Sequence, residues 1–137
     1  MTSILTPVLA LIVLTLVVWI WMYATRIPAM QKAGINPQNA RFPGSLDVLP
    51  DVPRQVANNY NHLMEQPTIF YAMVFYLYLT GQTDQLNVWL AWGYVGLRVI
   101  HTLVQCTINA VTLRFTVFSL STLCLMALAV RALMALA

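Results

Sequence analysis

The sequence predicts an all-α integral membrane protein: an antiparallel bundle of four transmembrane helices in one domain, residues 1–137. Three observations predict it. The chain has 137 residues, of which 60% are hydrophobic and only 8% are charged, fewer charges than a soluble domain of this size carries. Runs of about 20 apolar residues recur, the length that crosses a bilayer. Polar or turn-forming segments separate these runs at 26–53, 81–86 and just before 115. The net charge of +3 then speaks to membrane orientation. Nothing in the chain interleaves basic and aromatic residues as a nucleic-acid module does, so no nucleic-acid partner is expected.

Helix one is expected over about 5–23. No charge precedes Arg26, and Trp19, Trp21 and Tyr23 gather at its end, the pattern of a membrane–water interface. It has no positive n-region and no small-residue cleavage site, and its apolar run is too long for a signal peptide, so a retained helix is expected. Residues 26–53 read as a polar loop. It contains Pro28, Pro37, Pro43, Pro50, Pro53, Gly34 and Gly44, and carries Arg26, Lys32, Arg41, Asp47 and Asp51.

Helix two, about 56–80, opens on the stretch RQVANNYNHLMEQP. At 100° per residue, Arg54, Asn58, Asn61 and Glu65 fall within an arc of roughly 60°, with His62 at its edge and Asn59 further round. A polar stripe on a lipid-crossing helix must face protein or a wet cavity, and a carboxylate that deep is a functional-site candidate. The plainer alternative is that the asparagines only join helices by hydrogen bonds. Pro67 removes the partner of the Leu63 carbonyl and predicts a mild kink.

Helix three is expected over about 87–110, with Trp89, Trp92 and Tyr94 at its outer interface. Its lower half places Arg98, His101, Thr102, Gln105 and Asn109 within about 100° of arc, a second buried polar stripe. Arg114 lies in the connection to helix four, about 115–136. That helix carries Thr116, Ser119, Ser121 and Thr122 and ends in alanines, small residues that allow close approach in lipid. Arg131 reads as a snorkelling interfacial anchor. Cys106 and Cys124 read as small hydrophobes, and no metal-ligand spacing occurs. Arg26, Lys32, Arg41 and Arg54 flank the first loop and Arg114 the third. The positive-inside rule places these loops in the cytoplasm and both termini outside.

Glu65 lies about 16 Å deeper than Arg54, and His101 and Arg98 lie about 15 and 20 Å from the end of helix three near Val111. Glu65 and Arg98 are therefore expected to meet. They would form either a structural ion pair or the floor of a polar pocket that also collects Asn58, Asn61, Gln105, Asn109 and Arg114. Such a pocket, rich in cations and amides, suits a small anionic, peptide-like ligand.

The motifs NNYNHLMEQPTIFYA (58–72) and RVIHTLVQCTINAVTLRF (98–115), with the four-helix pattern over the whole chain, resemble the membrane-associated proteins in eicosanoid and glutathione metabolism, the MAPEG family, in its bacterial branch. The resemblance implies a homotrimer with glutathione bound between subunits near the cytoplasmic leaflet; with the charge pattern above, a bacterial inner membrane with periplasmic termini is expected. It implies transferase, peroxidase or isomerase chemistry on lipophilic small molecules arriving from the membrane lipids. By resemblance Glu65, Arg98 and His101 shape the pocket, while Asn61, His62 and Gln105, with Arg54 and Asn58, contact glutathione. Arg114 matches the arginine beside the glutathione sulfur, where a fixed cation favours the thiolate over a thiol of pKa about 8.5. Three positions depart from the family pattern. His62 stands where Asn is common, Gln105 where Tyr is common, and the family's helix-two arginine is replaced by Asn58 and Asn61. Two other function classes stay open: a non-catalytic lipid- or partner-binding protein of the same fold, and a proton-coupled transporter using Glu65 and His101, although no broken-helix repeat supports the latter.

Overall fold

The structure, a computed structural model, describes residues 3–36, 38 and 45–136. Among these the chain is helical and has no strand: α1 (Leu5–Ala33), α2 (Asp51–Leu63), α3 (Pro67–Leu79), α4 (Gln85–Cys106) and α5 (Val111–Met134). α2 and α3 are the two halves of the expected second helix, so the four-helix pattern stands. Of the expected first loop, Pro37, Arg41, Pro43 and Gly44 lie outside the described residues.

α1 runs ten residues beyond its expected end, to Ala33 instead of Tyr23. Pro28 was expected to lie in the loop, but it sits inside the helix, where it costs the Ala24 carbonyl its partner without stopping the turn. The stop is Gly34. Its left-handed backbone (φ 69°) turns the chain, and its N–H donates to the Gln31 carbonyl at 3.2 Å. The 29 residues of α1 span about 44 Å, more than the roughly 30 Å of a hydrocarbon core. Arg26 and Lys32 therefore ride on a helix that outruns the hydrocarbon core. Trp19 and Tyr23 pack edge to face at 5.0 Å near the depth where the interface should lie.

The kink expected at Pro67 is a break. From Met64 to Gln66 the chain leaves the α-helical pattern, and Met64 and Glu65 donate to carbonyls three residues back, Asn61 (3.0 Å) and His62 (3.2 Å). Such a turn advances about 120° per residue instead of 100°, so side chains beyond it rotate relative to α2. Gln66 is thereby brought inward. Its amide donates to Thr122 Oγ1 at 3.0 Å and accepts from the Tyr94 hydroxyl at 3.0 Å, tying the break to α5 and α4.

α4 ends at Cys106, four residues earlier than expected, and Thr107–Ala110 form the turn into α5. Asn109 takes a left-handed backbone (φ 49°) there, a conformation that asparagine tolerates better than most residues, and its N–H donates to the Val104 carbonyl at 2.7 Å. Asn109 is thus a turn residue and no longer part of the α4 stripe. α5 starts early enough that Arg114 occupies its first turn instead of the connection.

α4 packs against α5, α2 and α1; α2 packs on α1, and α3 on α1 and α5. Leu11, Val18, Val56, Phe70, Val74, Leu77, Ala91, Tyr94 and Leu128 form the core of this arrangement. Phe70 and Tyr94 stack at 4.4 Å. A Cβ on Gly93 would meet Cys124 Sγ at 3.3 Å, so a glycine allows α4 and α5 to approach there. α1 and α5 are each long and apolar enough to cross a membrane, and only 28% of the apolar stretch in each is buried. Their outward faces are apolar, with Leu16, Ile20, Leu120 and Leu123 exposed. α4 is long enough, but its polar stripe lowers its hydropathy. α2 and α3 are individually too short, at 13 residues each.

Arg131 does not snorkel outward as expected. Its Nη2 meets Asp84 Oδ2 at 2.5 Å and its Nε donates to Asn87 Oδ1 at 2.6 Å. Asp84 and Asn87, at the α3–α4 turn and the head of α4, offer oxygen acceptors within reach, so the guanidinium closes a link between α5 and that turn.

Candidate functional site

The polar stripe of α4 faces inward: Arg98, His101, Thr102 and Gln105 are all buried. The stripe of α2 does not face it squarely. Arg54, Asn58, Asn61 and Glu65 are exposed on the outside of the protomer. The side of α2 turned to the interior is set by its apolar residues Pro53, Val56, Ala57 and Leu63, which outweigh the polar arc in choosing the buried face. Two polar residues at the margin of that face are carried in with it, Asn59 and His62. Asn59 is fully buried and donates from Nδ2 to Thr102 Oγ1 at 3.1 Å.

The expected Glu65–Arg98 pair is not formed: the only ion pair among the described residues is Arg131–Asp84. Glu65 lies in the tightened turn after Leu63, which swings it outward as it swings Gln66 inward. His62 takes its place. Arg98, 0% exposed, donates from Nη2 to His62 Nδ1 at 2.8 Å. His62 stacks on His101 with ring centres 5.0 Å apart and planes 22° from parallel. It meets the ring of Phe118 edge-on at 4.9 Å. The Arg98 guanidinium carbon lies 5.7 Å from the Phe118 centroid, within reach of its π-face.

In front of them, with Arg98 behind His62, lies a cavity of about 180 Å³ lined by His62, His101, Val111, Arg114, Phe115 and Phe118. Arg114 and Phe118 share one face of α5, four residues apart. Arg114 is half-buried, and its Nη1 donates to Asn109 Oδ1 at 2.7 Å. A second cavity of about 240 Å³ is lined by Asp51, Arg54, Gln55, Asn58 and Asn109. Asn109 thus lines one chamber and holds the arginine that lines the other.

The structure therefore brings Arg98, His101, His62 and Arg114 together, puts Arg54 and Asn58 in the adjoining polar chamber, and leaves Asn61 and Glu65 outside both. Gln105 is buried beside α2 with Oε1 unpartnered. Sequence reasoning missed Phe118, Gln66 and Tyr94 as parts of this region. An aromatic residue in an apolar helix gives no signal by itself, although the spacing Arg114–Phe118 would have marked a shared face.

The cluster is cationic and under-satisfied. Arg98 Nε and Nη1 and His101 Nδ1 are buried without a hydrogen-bond partner, and no carboxylate lies within ion-pair distance of Arg98 or Arg114 among the described residues. Burying a charge without a counter-ion costs several kcal/mol. A chamber lined by Arg114, two imidazoles and an aromatic wall, with Arg98 behind it, suits the anionic end of a ligand whose other part is apolar.

Among protein-family models, the one described as "MAPEG family" matches residues 4–134, nearly the whole chain. No curated protein and no solved structure matches it.

Proposed function

The chain belongs to the MAPEG family, and on that premise we propose that this membrane protein is a thiol-dependent transferase or peroxidase acting on lipophilic electrophiles. The thiol is glutathione or a related small thiol. One observation carries the reading: Arg114 lines a chamber whose His62 wall is backed by the buried Arg98, and among the described residues neither arginine has a carboxylate within ion-pair distance.

Arg114 stands where the family places the cation beside the sulfur. Held by Asn109, it supplies a fixed positive charge that favours the thiolate. The bound thiol, once its proton has passed to water, forms a sulfur–carbon bond to the electrophile as the leaving group departs with its electron pair. Arg54 and Asn58, in the adjoining chamber, bind the peptide part of the thiol. Phe115 and Phe118 form the apolar wall against which the lipophilic partner lies.

Asn58 and Asn61 on α2, and Glu65 in the turn that follows it, are exposed in the single protomer. Leaving these groups in hydrocarbon is costly, and a second copy of the chain covering them removes the cost. A homotrimer with the thiol held between neighbours is the arrangement we propose, in a bacterial inner membrane with the Arg54 end toward the cytoplasm.

The test is turnover in liposomes with glutathione and a model electrophile. Wild type is expected to form the conjugate or reduce a lipid hydroperoxide, and Arg114→Ala to lose about 100-fold in rate. Equal rates for protein and empty liposomes would overturn the proposal.

A further inference from the structure

His62 is expected to contact the thiol, but asparagine is the common residue at its position and no chemical role is assigned to the imidazole. Its surroundings are specific. Arg98 donates to Nδ1 at 2.8 Å, and a guanidinium has no lone pair with which to accept. Nδ1 must therefore be the acceptor, and the ring proton must sit on Nε2. The ring is also clamped, stacked on His101 and seated edge-on against Phe118. Nε2 has no hydrogen-bond partner among the described residues. It is also absent from the buried, unpartnered atoms that include Arg98 Nε and His101 Nδ1, so it is an accessible donor on a ring that lines the cavity with Arg114.

Resting on the thiol-dependent reading above, we propose that His62 is a further catalytic residue, which donates its Nε2–H to the thiolate sulfur alongside Arg114. Arg98 is a positioning residue that acts through His62 by fixing which ring nitrogen carries the proton. The imidazole neither gains nor loses a proton in the step; the thiol proton goes to water. The charged and titratable groups around the ring are Arg98 at Nδ1, His101 stacked on its face, Arg114 across the cavity and Glu65 three residues along the chain. This accounts for a buried arginine with no acid beside it. Its charge polarises the imidazole and makes Nε2–H a stronger donor than an asparagine amide.

Two measurements test this on the full-length protein in detergent. The first needs no thiol. The ¹⁵N resonances of labelled histidine are expected to show His62 (assigned by its loss in His62→Gln) as the Nε2–H tautomer, and Arg98→Met to release it into a mixture. An Nδ1–H ring in wild type overturns the proposal whether or not the protein binds glutathione. The second follows thiolate absorbance against pH with glutathione bound. His62→Phe keeps the ring's shape and removes the donor, so the pH of half-ionisation is expected to rise by about one unit, the worth of a hydrogen bond to a charged group. His62→Gln, which keeps an N–H near the same place, is expected to restore most of that shift. A bound thiol that ionises alike in wild type and His62→Phe overturns the role of His62 and leaves that of Arg114 standing. Wild type with no thiolate signal overturns the reading on which both rest.

Discussion

Four side chains decide what the interior of this protein can hold. Arg98 and Arg114 bring positive charge, and His62 and His101 bring ring nitrogens. Their balancing groups are neutral: a ring nitrogen for Arg98 and an amide oxygen for Arg114. That arrangement is poor for stability and good for capturing an anion. Arg98 and His101 were legible as a pair in the sequence because they share one face of a regular helix. Their partner was not legible. Glu65 fitted by depth, but rotation around the helix, which the break resets, chose His62. Asn59 contributes differently, as a buried link to Thr102. Thr102→Val removes the acceptor, leaves the Asn59 amide nitrogen unpaired, and is expected to lower stability by about 1 kcal/mol. Thermal unfolding in detergent measures this, and thiol binding should survive it.

Between elements, the junction of α2 and α3 matters most. The sequence marked the place, through Pro67, but understated the effect. A proline in a continuous helix kinks it; here the chain before the proline also tightens, and the two halves acquire different faces. The inward one at the junction is Gln66, joined to both Tyr94 and Thr122. Gln66→Leu should strand the Tyr94 hydroxyl in the core and cost about 1–3 kcal/mol, read as a lower unfolding temperature. Gln66→Glu, keeping two acceptor oxygens, should retain the Tyr94 bond and lose the one to Thr122. The ends of α1 and α4 were misplaced in the sequence reading for a related reason. Pro28 looked like a terminator but is tolerated, whereas the terminators in the structure are backbone conformations at Gly34 and Asn109. The four-helix order was legible because apolar length is a strong signal.

For the whole molecule, the sequence correctly implied a membrane protein of the MAPEG family and two polar stripes, but not their directions. The α4 stripe points into the protomer and the α2 stripe points out of it. Periodicity identifies a face without saying what it faces; here the apolar residues of α2 made that choice. The outward stripe calls for a neighbour, so native mass spectrometry from mild detergent should give a trimer. Glu65→Leu should weaken it by removing the exposed carboxylate from the contact. A purely monomeric wild type would contradict the intersubunit site.

The central claim is that the chamber beside Arg114 holds a thiol as its thiolate. Glutathione titrated into purified wild type at neutral pH, followed by ultraviolet absorbance, measures this directly. The thiolate band should grow to saturation, and the same titration of Arg114→Ala should stay near the baseline of free glutathione. No band in wild type, or an equal band in both proteins, would contradict the account.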